Sequence, residues 1–174
     1  MKLNIFSIPI YIGNIDTNKI KIKNKDFSKT WISKTLSSHN FNNIIEESSW
    51  VYLRDTIFNL LKEDFNYNYM LSLHGIWENK YLDNDFQEAH IHEGSHFSFI
   101  IYKKLNKSQT VFIRPDKNLF QTFYMEKFPQ FPKLFIPECR ENQIIIFPSC
   151  LEHMVLPNSN AETIAGNLRI EANK

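Results

Sequence analysis

The sequence of 174 residues predicts a mainly β protein with flanking N-terminal helices, and three observations carry that prediction. From Phe65 onward apolar and polar residues alternate with a period of two, helical spacing is confined to residues 1–64, and no strand-helix-strand alternation follows. Several short strands preceded by one or two helices form the pattern of an antiparallel sandwich or barrel.

The opening stretch from Met1 to Ile12 is apolar, but Pro9 interrupts it and no small-residue cleavage site follows, so no secretory signal is expected. Asp26 or Ser28 caps a first predicted helix, with Phe27, Trp31, Ile32 and Leu36 as its apolar positions. A clearer helix begins at Ser48 or Ser49. Its Trp50, Leu53, Ile57, Leu60 and Leu61 recur every three or four residues and so share one face, which is expected to pack on a sheet. Phe65, Tyr67, Tyr69, Leu71 and Leu73 then alternate with Asn66, Asn68, Met70, Ser72 and His74, a strand signal. Further strands are predicted at Glu88 to His92, Phe97 to Lys103, Thr110 to Arg114, Gln143 to Phe147, His153 to Leu156 and Thr163 to Ile170. One domain over 1–174 is expected, with a helical flank at 1–64 and a β core at 65–174.

Composition narrows the function. A chain of this length buries roughly 70% of its unfolded surface, enough for a core without disulfides or structural metal. With 20 Lys+Arg against 19 Asp+Glu, the net charge of +1 gives no basic field for nucleic acid. No apolar run approaches the roughly 18 residues of a membrane span, and no polybasic patch suggests a membrane surface. Cys139 and Cys150 form no CxxC pair and read as free thiols, which makes the cytoplasm the expected location.

Chemistry concentrates in the histidines. His90, His92 and His96 fall within seven residues, and His153 lies on a later strand. Side chains at i and i+2 of a strand point to the same face, so His90 and His92 can converge on one ion, and imidazole suits iron, copper, nickel or zinc. An HxH pair with a distant third His is the layout of a metal site in a double-stranded β-helix, or jelly roll. Ser149, near His153, lacks the context of a nucleophile elbow.

The segments Trp77-Glu78-Asn79, Phe86 to Ser95 and Ser98 to Tyr102 resemble the "WxN … Q..HxHxxS..SGvyY" stretch of the small 2-oxoglutarate-Fe(II) oxygenases of marine bacteria and phages. Ile146 to Asn158 is similar to that family's "lFPSwLxHxVxPN", and Phe6 to Tyr11 to its opening "lFptPvy". The resemblance implies a jelly-roll core that binds Fe(II) and 2-oxoglutarate, uses O2 and hydroxylates a small-molecule or peptide substrate. His90 and His153 match two ligand positions. His92 stands where the wider superfamily's two-His-one-carboxylate set has Asp or Glu, so the third ligand is either His92 or a carboxylate such as Glu88, with Glu93 at the adjoining turn. His96 is expected to lie outside the ligand set.

The family's "RisisxN" pattern, with Asn167 taken as its Asn, puts Ala161 where an arginine is expected to pair with the distal carboxylate of 2-oxoglutarate. Arg169, on the same strand face as Asn167, and Arg114 are the candidate replacements, and Tyr102 offers a hydroxyl. The loop from Lys117 to Pro137, with six aromatic residues, is a candidate lid. Two other readings stay open: a cupin-like three-His metal dioxygenase without 2-oxoglutarate, favoured by the missing arginine, and a non-catalytic jelly-roll binding module.

Overall fold

The computed structural model of the chain describes residues 7–23, 26–29, 34–39, 45–65 and 69–172. In chain order the elements are β1 (Tyr11–Asn14), β2 (Ser28–Lys29), β3 (Leu36–Ser37), α1 (Glu47–Leu61), β4 (Tyr69–Tyr81), β5 (Asp85–His90), β6 (Phe97–Lys104) and β7 (Thr110–Ile113). The short helix α2 (Lys117–Thr122), β8 (Leu134–Phe135), β9 (Gln143–Pro148), β10 (His153–Asn158) and β11 (Ala161–Ala172) complete the chain. No helix among the described residues is long and apolar enough to cross a membrane.

The strands form two antiparallel sheets, as the jelly-roll expectation requires. One has seven strands in the order β1-β9-β6-β11-β4-β3-β2, and the other has four in the order β5-β10-β7-β8. Alternation along the central strands divides the core in two. Phe99 and Ile101 of β6 pack with Ile144 and Ile146 of β9, Ile164 of β11 and the apolar face of α1, where Leu53, Ile57 and Leu61 are fully buried. Ile100 and Tyr102 point the other way, into the space between the sheets, beside Trp77, Ile145, Phe147 and Ala165 and against Phe112 of the smaller sheet. The chain thus stacks helix, large sheet and small sheet, and polar side chains from both sheets line the inter-sheet space.

Helix α1 fulfils the expectation at Ser48. The first predicted helix does not form where it is described: Ser28–Lys29 and Leu36–Ser37 pair antiparallel as strands, and β3 in turn pairs with Lys80 and Asn79 of β4. Trp31 and Ile32 lie outside the described residues, as do Asn66, Tyr67 and Asn68 of the predicted strand. Pairing to an existing sheet edge outweighed a weak helical spacing, the usual outcome when intrinsic preference is small. Residues 1–64 therefore contribute strands β1 to β3 as well as a helix.

Candidate metal centre

Antiparallel register assembles the centre. His153 begins β10 and stands directly opposite His90, the last residue of β5, on one side and Phe112 of β7 on the other. Directly opposed residues share a sheet face, so residues 63 positions apart bring their rings to 4.3 Å between centroids. His92 arrives differently. The expected HxH strand ends at His90, and the chain turns, with the His92 backbone N–H donating to Ser149 O at 3.0 Å. Ser149 N–H in turn donates to His96 O at 3.0 Å, so one residue holds the turn from both sides. The His92 ring then stacks between Trp77 (5.7 Å) and His153 (5.1 Å).

One nitrogen from each of His90, His92 and His153 lies within 4.8 Å of the others. The Nδ1–H of His90 donates to Glu88 O at 2.7 Å and that of His153 to Leu151 O at 3.0 Å, which leaves each Nε2 as a lone-pair donor directed inward. The Nε2 atoms of His92 and His153 are 3.3 Å apart. Two nitrogens held about 2.1 Å from one ion reach that separation at an angle of roughly 105°, so this pair has the spacing of two ligands to one metal. Burial, then repulsion from His90, brings both His92 and His153 down to about 3. Both rings are neutral at physiological pH, the ligating form.

The carboxylates stay outside. Glu88 serves His90 through its backbone carbonyl, and its side chain does not border the cavity; Glu93 is exposed in the turn. His96 accepts a hydrogen bond from Ile170 N–H at Nδ1 and belongs to the turn. The other predicted residues divide. Tyr102 lines the cavity, 1% exposed, and its hydroxyl donates to Thr110 Oγ1 at 3.0 Å. Asn167 does not line it; Asn167 Oδ1 accepts from Ser98 Oγ (2.9 Å), which also shares a 2.8 Å hydrogen bond with Ser149 Oγ. Asn167 thus braces the residue that holds His92.

Neither arginine reaches the cavity. Arg169 shares the face of Thr163, Ala165 and Asn167, as the two-residue period predicts, since Ile164, Leu168 and Ile170 all pack on the helix side; it lies at the exposed end of β11, where its Nε donates to Gly94 O at 2.9 Å and it does not border the cavity. Arg114 pairs with Asp116 and lies over the Phe120 ring at 3.7 Å. The Lys117 to Pro137 segment folds against β7 through β8, and none of its residues borders the histidine cavity. Ala161 is buried in a small cluster with Tyr81 and Val155.

Sequence reasoning passed over Asn79, Thr110 and Thr163 as site residues. All three line the cavity and are at most 6% exposed, and the signal available was polar residues at inward positions of otherwise apolar strands. It also missed His39, whose ring meets the edge of Trp77 at 4.6 Å, behind His92.

A family model described as "Putative 2OG-Fe(II) oxygenase" matches residues 75–165. No curated protein matches the sequence. Among solved structures, the fold is similar to HygX from Streptomyces hygroscopicus with nickel, 2-oxoglutarate and hygromycin B bound, at TM-score 0.57 and 9% identity over 93% of this chain and 82% of that one. It is also similar to a prolyl-4-hydroxylase from Pseudomonas putida (TM-score 0.52, 13% identity, 79% and 73% of the two chains). A prolyl hydroxylase from Trichoplax adhaerens, in complex with a hypoxia inducible factor peptide fragment, gives 0.53 and 14% over 82% and 66%.

Proposed function

The chain belongs to the 2OG-Fe(II) oxygenase family, and we propose that His90, His92 and His153 hold its iron and that it hydroxylates a small-molecule or peptide substrate. The enzyme depends on Fe(II) and 2-oxoglutarate. Bound together with O2, they supply an oxidation in which 2-oxoglutarate becomes succinate and CO2 while one oxygen atom enters a substrate C–H bond.

The chain's own residues supply the geometry. The observation that carries the reading is the convergence of three imidazoles whose outer nitrogens, for His90 and His153, are tied to backbone carbonyls. Such ties fix the tautomer and aim of a ligating ring before any ion arrives, so little ordering cost remains on binding. Trp77 and Phe147 line the cavity beside the histidines, and Phe112 packs in the same apolar cluster. Tyr102 and Thr110 bring a hydrogen-bonded pair of hydroxyls to the same cavity. Hygromycin B and a peptide are the ligands named for two structural neighbours, which is the support for the substrate class.

The test is metal content and co-substrate binding. The purified protein is expected to take up one Fe(II) per chain under anaerobic conditions and to bind 2-oxoglutarate only when loaded. His90→Ala and His153→Ala should each weaken metal binding by at least about 100-fold, beyond the 10–100-fold typical of losing an outer partner. Full occupancy in both variants overturns the ligand assignment.

A further inference from the structure

The space enclosed beyond the three histidines amounts to about 30 Å³, room for a water molecule, and among the described residues no lysine or arginine borders it. His153 is buried, but His90 and His92 are half-buried, so the centre meets solvent on their side. A substrate reaches the metal from there. That side carries the turn that follows His92, and one cation is fastened to it.

Arg169 is exposed, yet the turn pins it at three points. Its Nε donates to Gly94 O at 2.9 Å, and His96 clamps the backbone on both sides of it: the His96 N–H donates to Leu168 O and the His96 Nδ1 accepts from Ile170 N–H, each at 2.9 Å. Among the described residues Arg169 forms no ion pair, with Glu93 of the turn and Glu171 two residues on included. A guanidinium held at Nε, with its Nη groups uncommitted, is preorganised to take a carboxylate or phosphate at two oxygens.

A second donor stands beside it. His74 is the extra residue of β4 where the strand bulges against β11, unpaired between Gly75, opposite Asn167, and Leu73, opposite Leu168. Its Nδ1 shares a 2.8 Å hydrogen bond with Ser95 Oγ. If the ring donates, the Ser95 hydroxyl proton is free; if the hydroxyl donates, His74 Nε2 carries the proton. The pair therefore offers an outward donor in either tautomer. Gly94 keeps the ground between the two open: with φ at 76° it bears no side chain, and the point where a Cβ would stand is 3.7 Å from Arg169 Nη2 and 3.8 Å from His74 Cε1. Gly94 is two residues past His92, so their Cα atoms are at most about 7.6 Å apart.

Resting on the reading of the centre as the iron site of an oxygenase, we propose that Arg169, with the His74–Ser95 pair, anchors the primary substrate, and that this substrate carries a carboxylate or phosphate group. Anchored there, a substrate is oriented on the exposed side of the centre, and only C–H bonds at a fixed span from its anion come to the metal. Arg169 is then a specificity residue for the substrate and not part of the co-substrate site.

Inorganic phosphate is the probe, titrated into the Zn(II)-loaded full chain with 2-oxoglutarate already bound and followed by NMR. Millimolar phosphate should shift the Gly94 and Ser95 amide and Arg169 Nε–H signals saturably. Arg169→Gln should weaken that binding roughly tenfold, Arg169→Lys should restore only part of it because the charge returns without the fork, and Arg114→Gln, whose guanidinium is already paired with Asp116, should leave it unchanged. Affinity for 2-oxoglutarate itself should stay within about threefold in Arg169→Gln, since an exposed arginine outside its site is removed. No saturable shift at the turn, or equal phosphate affinity in Arg169→Gln, overturns the proposal; so does a tenfold loss of 2-oxoglutarate affinity in that variant, which hands the arginine to the co-substrate. All three leave the oxygenase reading standing. Metal-loaded wild type that binds no 2-oxoglutarate overturns that reading and the substrate assignment with it.

Discussion

His92 reaches the centre by a turn whose backbone hangs on Ser149, whose side chain is held by Ser98, itself held by Asn167. Removing Asn167 leaves one buried hydroxyl proton in that trio without an acceptor. Asn167→Ala is therefore expected to destabilise the fold by about 1–3 kcal/mol, read by urea unfolding, while 2-oxoglutarate affinity of the metal-loaded protein changes less than about threefold. A large loss of affinity with unchanged stability would return Asn167 to the co-substrate. At this scale the sequence was informative about residue types: three histidines and an FPS motif were visible as chemistry. The role of Asn167 was not visible, because a hydrogen bond from Ser98, 69 residues away, exists only once β6 and β11 are paired.

Among the elements, β11 sets the register of the large sheet, pairing with β4 along its length and with β6 over most of it. Gly166 at its middle is a close-approach position: a Cβ there would meet Phe99 Cζ at 2.4 Å and Gly75 O at 2.7 Å. The backbone oxygen cannot swing aside as a flexible side chain would. Gly166→Ala should cost about 1–3 kcal/mol through overpacking, measured as a lower unfolding midpoint, and neutrality there would mean the two strands can part without penalty. The same strand keeps its two-residue period to its end: Ile164, Leu168 and Ile170 pack on the helix side and Arg169 stays on the face of Thr163, but at the exposed end of the strand rather than at the cavity, a distance the alternation does not encode. Helix α1 and the central strands were legible because their apolar spacing serves a large buried face; β2 and β3, two residues each, carry too little pattern to outvote a chance helical spacing.

For the whole molecule, the centre joins separate parts of the fold: His90 and His153 belong to the small sheet, and His92 hangs from Ser149 just past β9 of the large one. An ion bound there ties the sheets together and binds only the folded state. Ni(II) at about 100 times its Kd should add roughly 2.7 kcal/mol, a Tm rise of roughly 5–10 °C for a chain of this size, and His153→Ala should abolish the rise. An equal rise in that variant would put the metal elsewhere. The Lys117 to Pro137 segment belongs to this scale too. Its length suggested a lid, but β8 joins the edge of the small sheet, and Phe123, Tyr124, Phe128 and Phe135 stay exposed, away from the histidine cavity.

By itself the sequence determined what is local: the two-residue period of the β core, the apolar face of α1, the near-zero net charge, and the imidazole chemistry of His90, His92 and His153. Tertiary structure alone decided which groups share the inter-sheet space. Cross-strand register sets His153 against His90 and lines up Asn79, Thr163 and Tyr102, while Arg169, on the same face as Thr163, lies beyond the cavity and is held by Gly94 O. Burial and charge balance in a cavity depend on neighbours brought together from distant strands, and that information is carried by pairing, not by spacing along the chain.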